Sequence, residues 1–133
     1  MNDQSKDLDL ASLDVSTSAE QGAVLTLHHP VTKDPLPVKI WLQGTDASAY
    51  RTAVRRQVDD QIAAGKADLS AAELEERHIE RLAAVTLKWE HVTYHGQSLD
   101  CSVANALTLY REQIWIREQV TYFVEDRTRF WEA

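Results

Sequence analysis

Three side chains close together in the sequence invite a metal reading: His91, His95 and Cys101. Imidazole and thiolate are zinc ligands, and two histidines four residues apart share a face if a helix carries them. Tyr94-His95-Gly96 reads as the exit of a helix, however, and no fourth ligand stands at a matching distance, so no metal site is expected. His28-His29 beside Pro30 reads as a solvated strand end. Hydrolysis needs a nucleophile beside a positioned base, or two carboxylates facing one substrate atom. Asp59 and Asp60 are neighbours on a predicted helix, where adjacent side chains diverge by about 100°. Four glycines form no phosphate-binding loop. These residues predict neither an enzyme nor a cofactor, and they leave binding as the chemistry.

The aromatic side chains are better placed for that role. Trp89, Tyr94, Tyr110, Trp115, Tyr122, Phe123, Phe130 and Trp131 all fall in the last 45 residues. Some of them must build a core, with Trp89 and Phe123 central. Trp115 and Trp131 leave the apolar stripe of the last predicted helix and are the candidates for an exposed interface, where large rings anchor partners.

Those side chains have to be positioned by an α+β fold. Val38, Ile40 and Leu42 alternate with Lys39, Trp41 and Gln43 at period two, and this run and Ala23 to His28 flank a connection punctuated by Pro30 and Pro35, which predicts a β-hairpin over 23–43 with a broad turn. A mainly helical part of about four helices follows, at about 46–64, 70–90, 102–111 and 113–130. In the first, Ala47, Tyr50, Val54, Val58 and Ile62 recur at helical spacing, Thr45 or Asp46 caps the start and Gly65 ends it. Ser70-Ala71-Ala72-Glu73 has the form of a capping box. Leu74, His78, Leu82, Val85 and Trp89 then extend one stripe, with Glu73 and Arg77 one turn apart. A turn-prone stretch centred on Gly96 follows, and Ser102 caps the third helix. The fourth presents Ile116, Val120, Phe123, Val124 and Arg127 on one face.

Composition restricts the partners. At 44% hydrophobic and 26% charged the chain has the balance of a folded domain, and 133 residues suit a single one, over 21–133. The net charge is −7, of which residues 1–20 carry −4, from five acids against Lys6. That segment reads as a flexible acidic arm; its spaced aliphatic residues Leu8, Leu10, Leu13 and Val15 offer the alternative of docking, or of reaching a neighbouring subunit. An acidic body with no basic cluster predicts no binding to nucleic acid or to an anionic membrane. A lone cysteine, an acidic start without a signal sequence and no apolar run of about 20 residues predict a cytoplasmic protein.

The segments Thr86-Leu87-Lys88-Trp89-Glu90-His91-Val92, Cys101-Ser102-Val103-Ala104-Asn105-Ala106-Leu107-Thr108-Leu109-Tyr110, Trp115-Ile116-Arg117-Glu118-Gln119-Val120 and Asp126-Arg127-Thr128-Arg129-Phe130 together resemble the tail assembly chaperones of long-tailed, siphovirus-like bacteriophages. The order of elements is similar over about residues 8–131. Cys101 and Gln113-Ile114 depart from the family pattern, where an ordinary loop residue and a proline before the tryptophan are expected. The resemblance implies an oligomeric binding protein without catalysis. Its partners would be the tape measure protein, which it keeps soluble, and tail tube subunits, which it helps recruit. It would act in the host cell cytoplasm and be absent from the mature virion. The alternative is a structural virion component: a tail tube, tail completion or head-tail joining protein.

The candidate partner-binding residues are thus Trp115, Trp131, Tyr110, Arg117 and Gln119. Trp89, Ser102, Asn105 and Phe123 are the structural ones: Ser102 as a cap, Asn105 bonding to the preceding loop, Trp89 covering a junction between helices and Phe123 in the core.

Overall fold

The alternating residues pair as their spacing predicts. In the computed structural model, which describes residues 7–131, β1 (Ala23–His28) and β2 (Pro35–Leu42) run antiparallel, with Ala23 opposite Leu42 and Leu25 opposite Ile40. Ile40 and Leu42 are fully buried, whereas Lys39 and Trp41 lie on the outer face, where Lys88 Nζ sits 4.3 Å from the centre of the Trp41 ring. In the broad connection, His29 Nδ1 accepts from the N–H groups of Val31 and Thr32, so this ring closes a turn.

The helix expected over 70–90 is shorter. Its start holds the expected capping box: Ser70 Oγ accepts from the Glu73 N–H and the Glu73 carboxylate accepts from the Ser70 N–H, both at 3.1 Å. It ends at Ala84, however. Thr86–Glu90 is a third strand, β3, antiparallel to β2 with Trp89 opposite Ile40, and the sheet order is β1-β2-β3. Val85 and Trp89 are four residues apart, a spacing common to both periods, and the β-branched pair Val85-Thr86 favours the strand. Trp89 therefore covers the core from the sheet instead of a junction between helices. Glu73 pairs with Lys66, while Arg77 donates to the Gln57 carbonyl, so the Glu73–Arg77 pair does not form.

In chain order the described helices are α1 (Ser16–Gln21), α2 (Ser48–Ala63), α3 (Ala71–Ala84), α4 (Val103–Glu112) and α5 (Ile114–Glu125). The fold is α+β, with five α-helices and more strands than the hairpin alone. Residues 93–100 form a small hairpin of their own, β4 (Thr93–Tyr94) and β5 (Gln97–Ser98). Its two turn residues, His95 and Gly96, both have positive φ, +52° and +79°, the signature of a type I′ turn.

The acidic arm, read as residues 1–20, ends inside α1; residues 1–6 lie outside the described part. Ala19 of α1 is buried, and the Glu20 carboxylate accepts from the Ser48 N–H at the start of α2. Neither Thr45 nor Asp46 caps that helix: its N-cap is Ala47, and Asp46 instead binds Arg127 at 2.7 Å. The expected helix over 113–130 also divides. α5 stops at Asp126, whose carboxylate accepts from the Thr128 N–H and starts a 3₁₀ turn, Arg127–Phe130. Arg127 thereby leaves the stripe and is exposed. The turn drives Phe130 into the core, edge-on to Phe123 with ring centres 5.6 Å apart. Gly44 makes room for it, since a Cβ there would lie 2.9 Å from the Phe130 ring.

The core lies between the inner face of the sheet and α3, α4 and α5. Ile79, Leu82, Leu109, Tyr110, Val120 and Val124 meet Leu27, Ile40 and Leu42 there. His78 is half-buried beside Thr121, 2.8 Å from its hydroxyl, and burial holds its imidazole below the usual range. Among the described residues no helix is long and apolar enough to cross a membrane.

Candidate binding groove between β1 and α5

A depression of about 660 Å³ runs between the free edge of β1 and one side of α5. Local sequence explains both walls. β1 is an edge strand, because β2 occupies its other side. α5 turns Ile116, Val120, Phe123 and Val124 inward, which leaves Trp115, Glu118, Gln119 and Tyr122 facing the groove.

Gln119 shows which way the strand's backbone points. Its side-chain amide donates to the His28 carbonyl at 2.8 Å and accepts from the His28 N–H at 2.9 Å, as a neighbouring strand would. His28 lies opposite Pro35, which has no N–H to give; His29, the next residue, donates inward to Asp34. Since N–H and C=O groups alternate along a strand, Val24 and Thr26 direct theirs outward as well, along the groove. One amide thus closes one position of the edge and leaves the next two open.

Apolar surface lies beside those polar groups. Tyr122 is 75% exposed and Val24 is exposed too, while Phe123 forms part of the floor. The charged side chains at the rim are mixed: Lys33 and Arg129 against Glu118 and Asp126. The groove has no net charge to select a charged ligand. It suits an uncharged, apolar segment with free backbone groups.

The candidate partner-binding residues separate accordingly. Gln119 and Trp115 line the groove. Trp115 is only half-buried; its indole N–H donates to Gln113 Oε1 at 3.1 Å, and Gln113 in turn donates to Tyr94 Oη at 3.0 Å. Gln113 both ends α4 and begins α5. Trp131 is 45% exposed beyond the 3₁₀ turn and does not line the groove. Tyr110 has no exposed surface, so it is a core residue and not a contact residue. Its hydroxyl lies 2.8 Å from Thr86 Oγ1, and burial pushes its ionisation far above the ordinary phenol. Arg117 is also internal to the fold: it donates to the Tyr110 carbonyl at 3.3 Å and lies 3.6 Å from Glu75.

Three of the four structural residues hold the loop before α4. Trp89 donates to the Leu99 carbonyl at 2.7 Å, Asn105 Nδ2 to the Asp100 carbonyl at 2.8 Å, and Ser102 Oγ accepts from the Asn105 N–H at 3.1 Å. Three bonds thus hold the loop before α4, as the types and spacing of Ser102 and Asn105 predict. Phe123 is buried. His91 and Cys101 border a separate small depression, His95 caps the tip of the β4–β5 turn, and burial raises the Cys101 thiol. No group of three or more metal-ligating side chains is placed to hold an ion among the described residues.

Sequence reasoning missed Tyr122 and Val24. Tyr122 carried a signal, as it falls off the same stripe that Trp115 leaves. The free edge carried none, since the Gln119–His28 pairing joins residues 91 positions apart. Compared with protein-family models, curated proteins and solved structures, the chain matches none of them.

Proposed function

We propose that the chain is a bacteriophage tail assembly chaperone, a binding protein without catalysis that holds the tape measure protein soluble and helps gather tail tube subunits around it. The site would work in the host cell cytoplasm and be left out of the finished particle. The resemblance of residues 86–130 to that family supports the reading. The single observation that carries it is the groove: an unpaired strand edge beside exposed aromatic surface.

The geometry also selects the form of the bound segment. An amphipathic helix satisfies its own backbone and would leave Val24 and Thr26 unpaired. An extended apolar segment adds to the edge, pairs those groups and lays alternate side chains against Tyr122 and Trp115. A chaperone with this groove therefore takes its partner before the partner has wound into helices, and several copies along one long partner gain by avidity. A free edge also suits a structural virion component that joins its neighbours by strand addition, the second reading.

Co-expression with the tape measure protein of the same phage tests the proposal. The tape measure protein is expected in the soluble fraction, bound to the chain, and to be lost from it with Tyr122→Ser or Thr26→Pro. The proline removes an outward N–H without breaking the β1–β2 ladder. No rescue by the unaltered chain overturns the proposal, and finding the chain in purified particles moves the assignment to the second reading.

A further inference from the structure

Two apolar pairs stand uncovered in this molecule, each beside charge of opposite sign. On α2, Val58 and Ile62 are one turn apart and 49% and 72% exposed. Arg51 and Arg55 continue the same face toward the helix start, because positions 51, 55, 58 and 62 follow the three-and-four spacing. Neither arginine has an ion-pair partner among the described residues; Arg55 reaches only Thr52 Oγ1, at 3.4 Å. Cations near a helix start oppose its dipole, and α2 carries no acid within its own first turn, its start being capped from outside by Glu20. Asp59 is the one acid on this face.

The arm carries the complement. Asp9 accepts from the Ala11 N–H and begins the 3₁₀ turn Leu10–Leu13. Three residues per turn put Leu10 and Leu13 on one side, where they are 73% and 49% exposed. From Asp7 to Leu13, extended and then 3₁₀, the arm spans about 16 Å. From Arg51 to Ile62 the helix also spans about 16 Å. Acid, acid, leucine, leucine therefore matches Arg, Arg, Val, Ile in length and in order, provided the two run in the same direction.

The arm of the same chain has the wrong direction. Asp14 lines one small depression with Arg51, at the start of α2. An arm folding back along its own helix would set Leu13 near Arg51 and Asp7 near Asp59 and Asp60, leucine on arginine and acid on acid. A second copy is free of that constraint. We propose that two copies of this chain pair by exchanging arms, Leu10 and Leu13 of each covering Val58 and Ile62 on α2 of the other while Asp7 and Asp9 meet Arg51 and Arg55. This pairing is independent of what the β1–α5 groove binds.

Sedimentation equilibrium of the full chain at low salt tests it. A dimer is expected that weakens as salt is added, since the charged contacts are exposed. Leu10→Ser with Leu13→Ser is expected to raise the dimer dissociation constant roughly a hundredfold. The sharper test uses two charge-reversed chains, one Arg51→Glu with Arg55→Glu, the other Asp7→Lys with Asp9→Lys. Each alone is expected to be monomeric, and an equimolar mixture to form a heterodimer, because both exchanged contacts are then restored. A chain that is monomeric at every concentration overturns the proposal. So does a dimer indifferent to the leucine substitutions, or a pair of folded charge-reversed chains, checked by circular dichroism, that fail to associate when mixed.

Discussion

α2 and α5 are both helices of clear apolar periodicity, yet the fold holds them by different means. α5 buries Ile116, Val120, Phe123 and Val124. α2 is four residues longer, 16 against 12, and buries only Gln57. The Gln57 side chain donates to the Arg77 carbonyl at 2.9 Å and accepts from Arg81 at 2.8 Å, while its own carbonyl accepts from Arg77 at 2.6 Å. α5 is thus an apolar wall of the core, and α2 is clamped onto α3 through one polar residue. Periodicity shows that an apolar stripe exists on a helix. Whether the molecule buries that stripe is decided by the neighbours available, and α2 leaves Val58 and Ile62 outside.

The largest loss follows from α5. Phe123→Ala should lower stability by about 4 kcal/mol through the cavity left against Phe130, read as a lower urea midpoint with an unchanged slope. A cost near that of a surface substitution would remove α5 from the core. Gln57→Ala should cost about 2 kcal/mol, because it leaves partly buried donors and acceptors on α3 without partners. Its effect should be local: amide exchange is expected to speed up along α2 while α5 keeps its protection. Equal loss of protection in both helices would break the distinction between them.

Smaller effects sharpen it. Ile62→Ala, measured where the chain is monomeric, should change the melting free energy by no more than about 0.5 kcal/mol, the range of an exposed position. The connection between α2 and α3 supplies a dependence on pH. The Lys66 ammonium, followed by the bonds from Ser70, holds the Glu73 carboxyl down at about 2, below its ordinary 4.5. A depressed carboxylate contributes stability above its unfolded pKa and loses that contribution as pH falls toward its folded one. Melting temperatures should therefore drop between pH 4.5 and about 2, and Glu73→Gln should flatten that part of the profile. An unchanged slope in the variant would show that the Lys66 contact contributes nothing.

Much of the fold was legible because its signals are local. The hairpin from Ala23 to Leu42 depends on alternation within the second strand and on the prolines of the connection, and the capping box at Ser70 on residues three apart. The Ser102 cap and the Asn105 bond to Asp100 likewise reach no more than five positions along the chain. β3 was not legible, since Val85 and Trp89 fit a helix and a strand equally well and pairing with β2 chose between them. The candidate site was half legible: Trp115 and Gln119 lie in it, whereas Tyr110, with the same aromatic character, is buried by elements far from it in sequence.

By itself, then, the sequence determined the hairpin, most helix starts and most of the inward stripe of α5, because hydrogen bonds and side-chain spacing inside one element decide these. Tertiary structure alone decided that Glu20 caps α2, that Gln119 closes one position of the β1 edge and leaves Val24 and Thr26 open, and that α2 turns its apolar pair to solvent. Each of these depends on which surface comes to face which, and the packing of the whole chain, not the pattern of any segment, sets that.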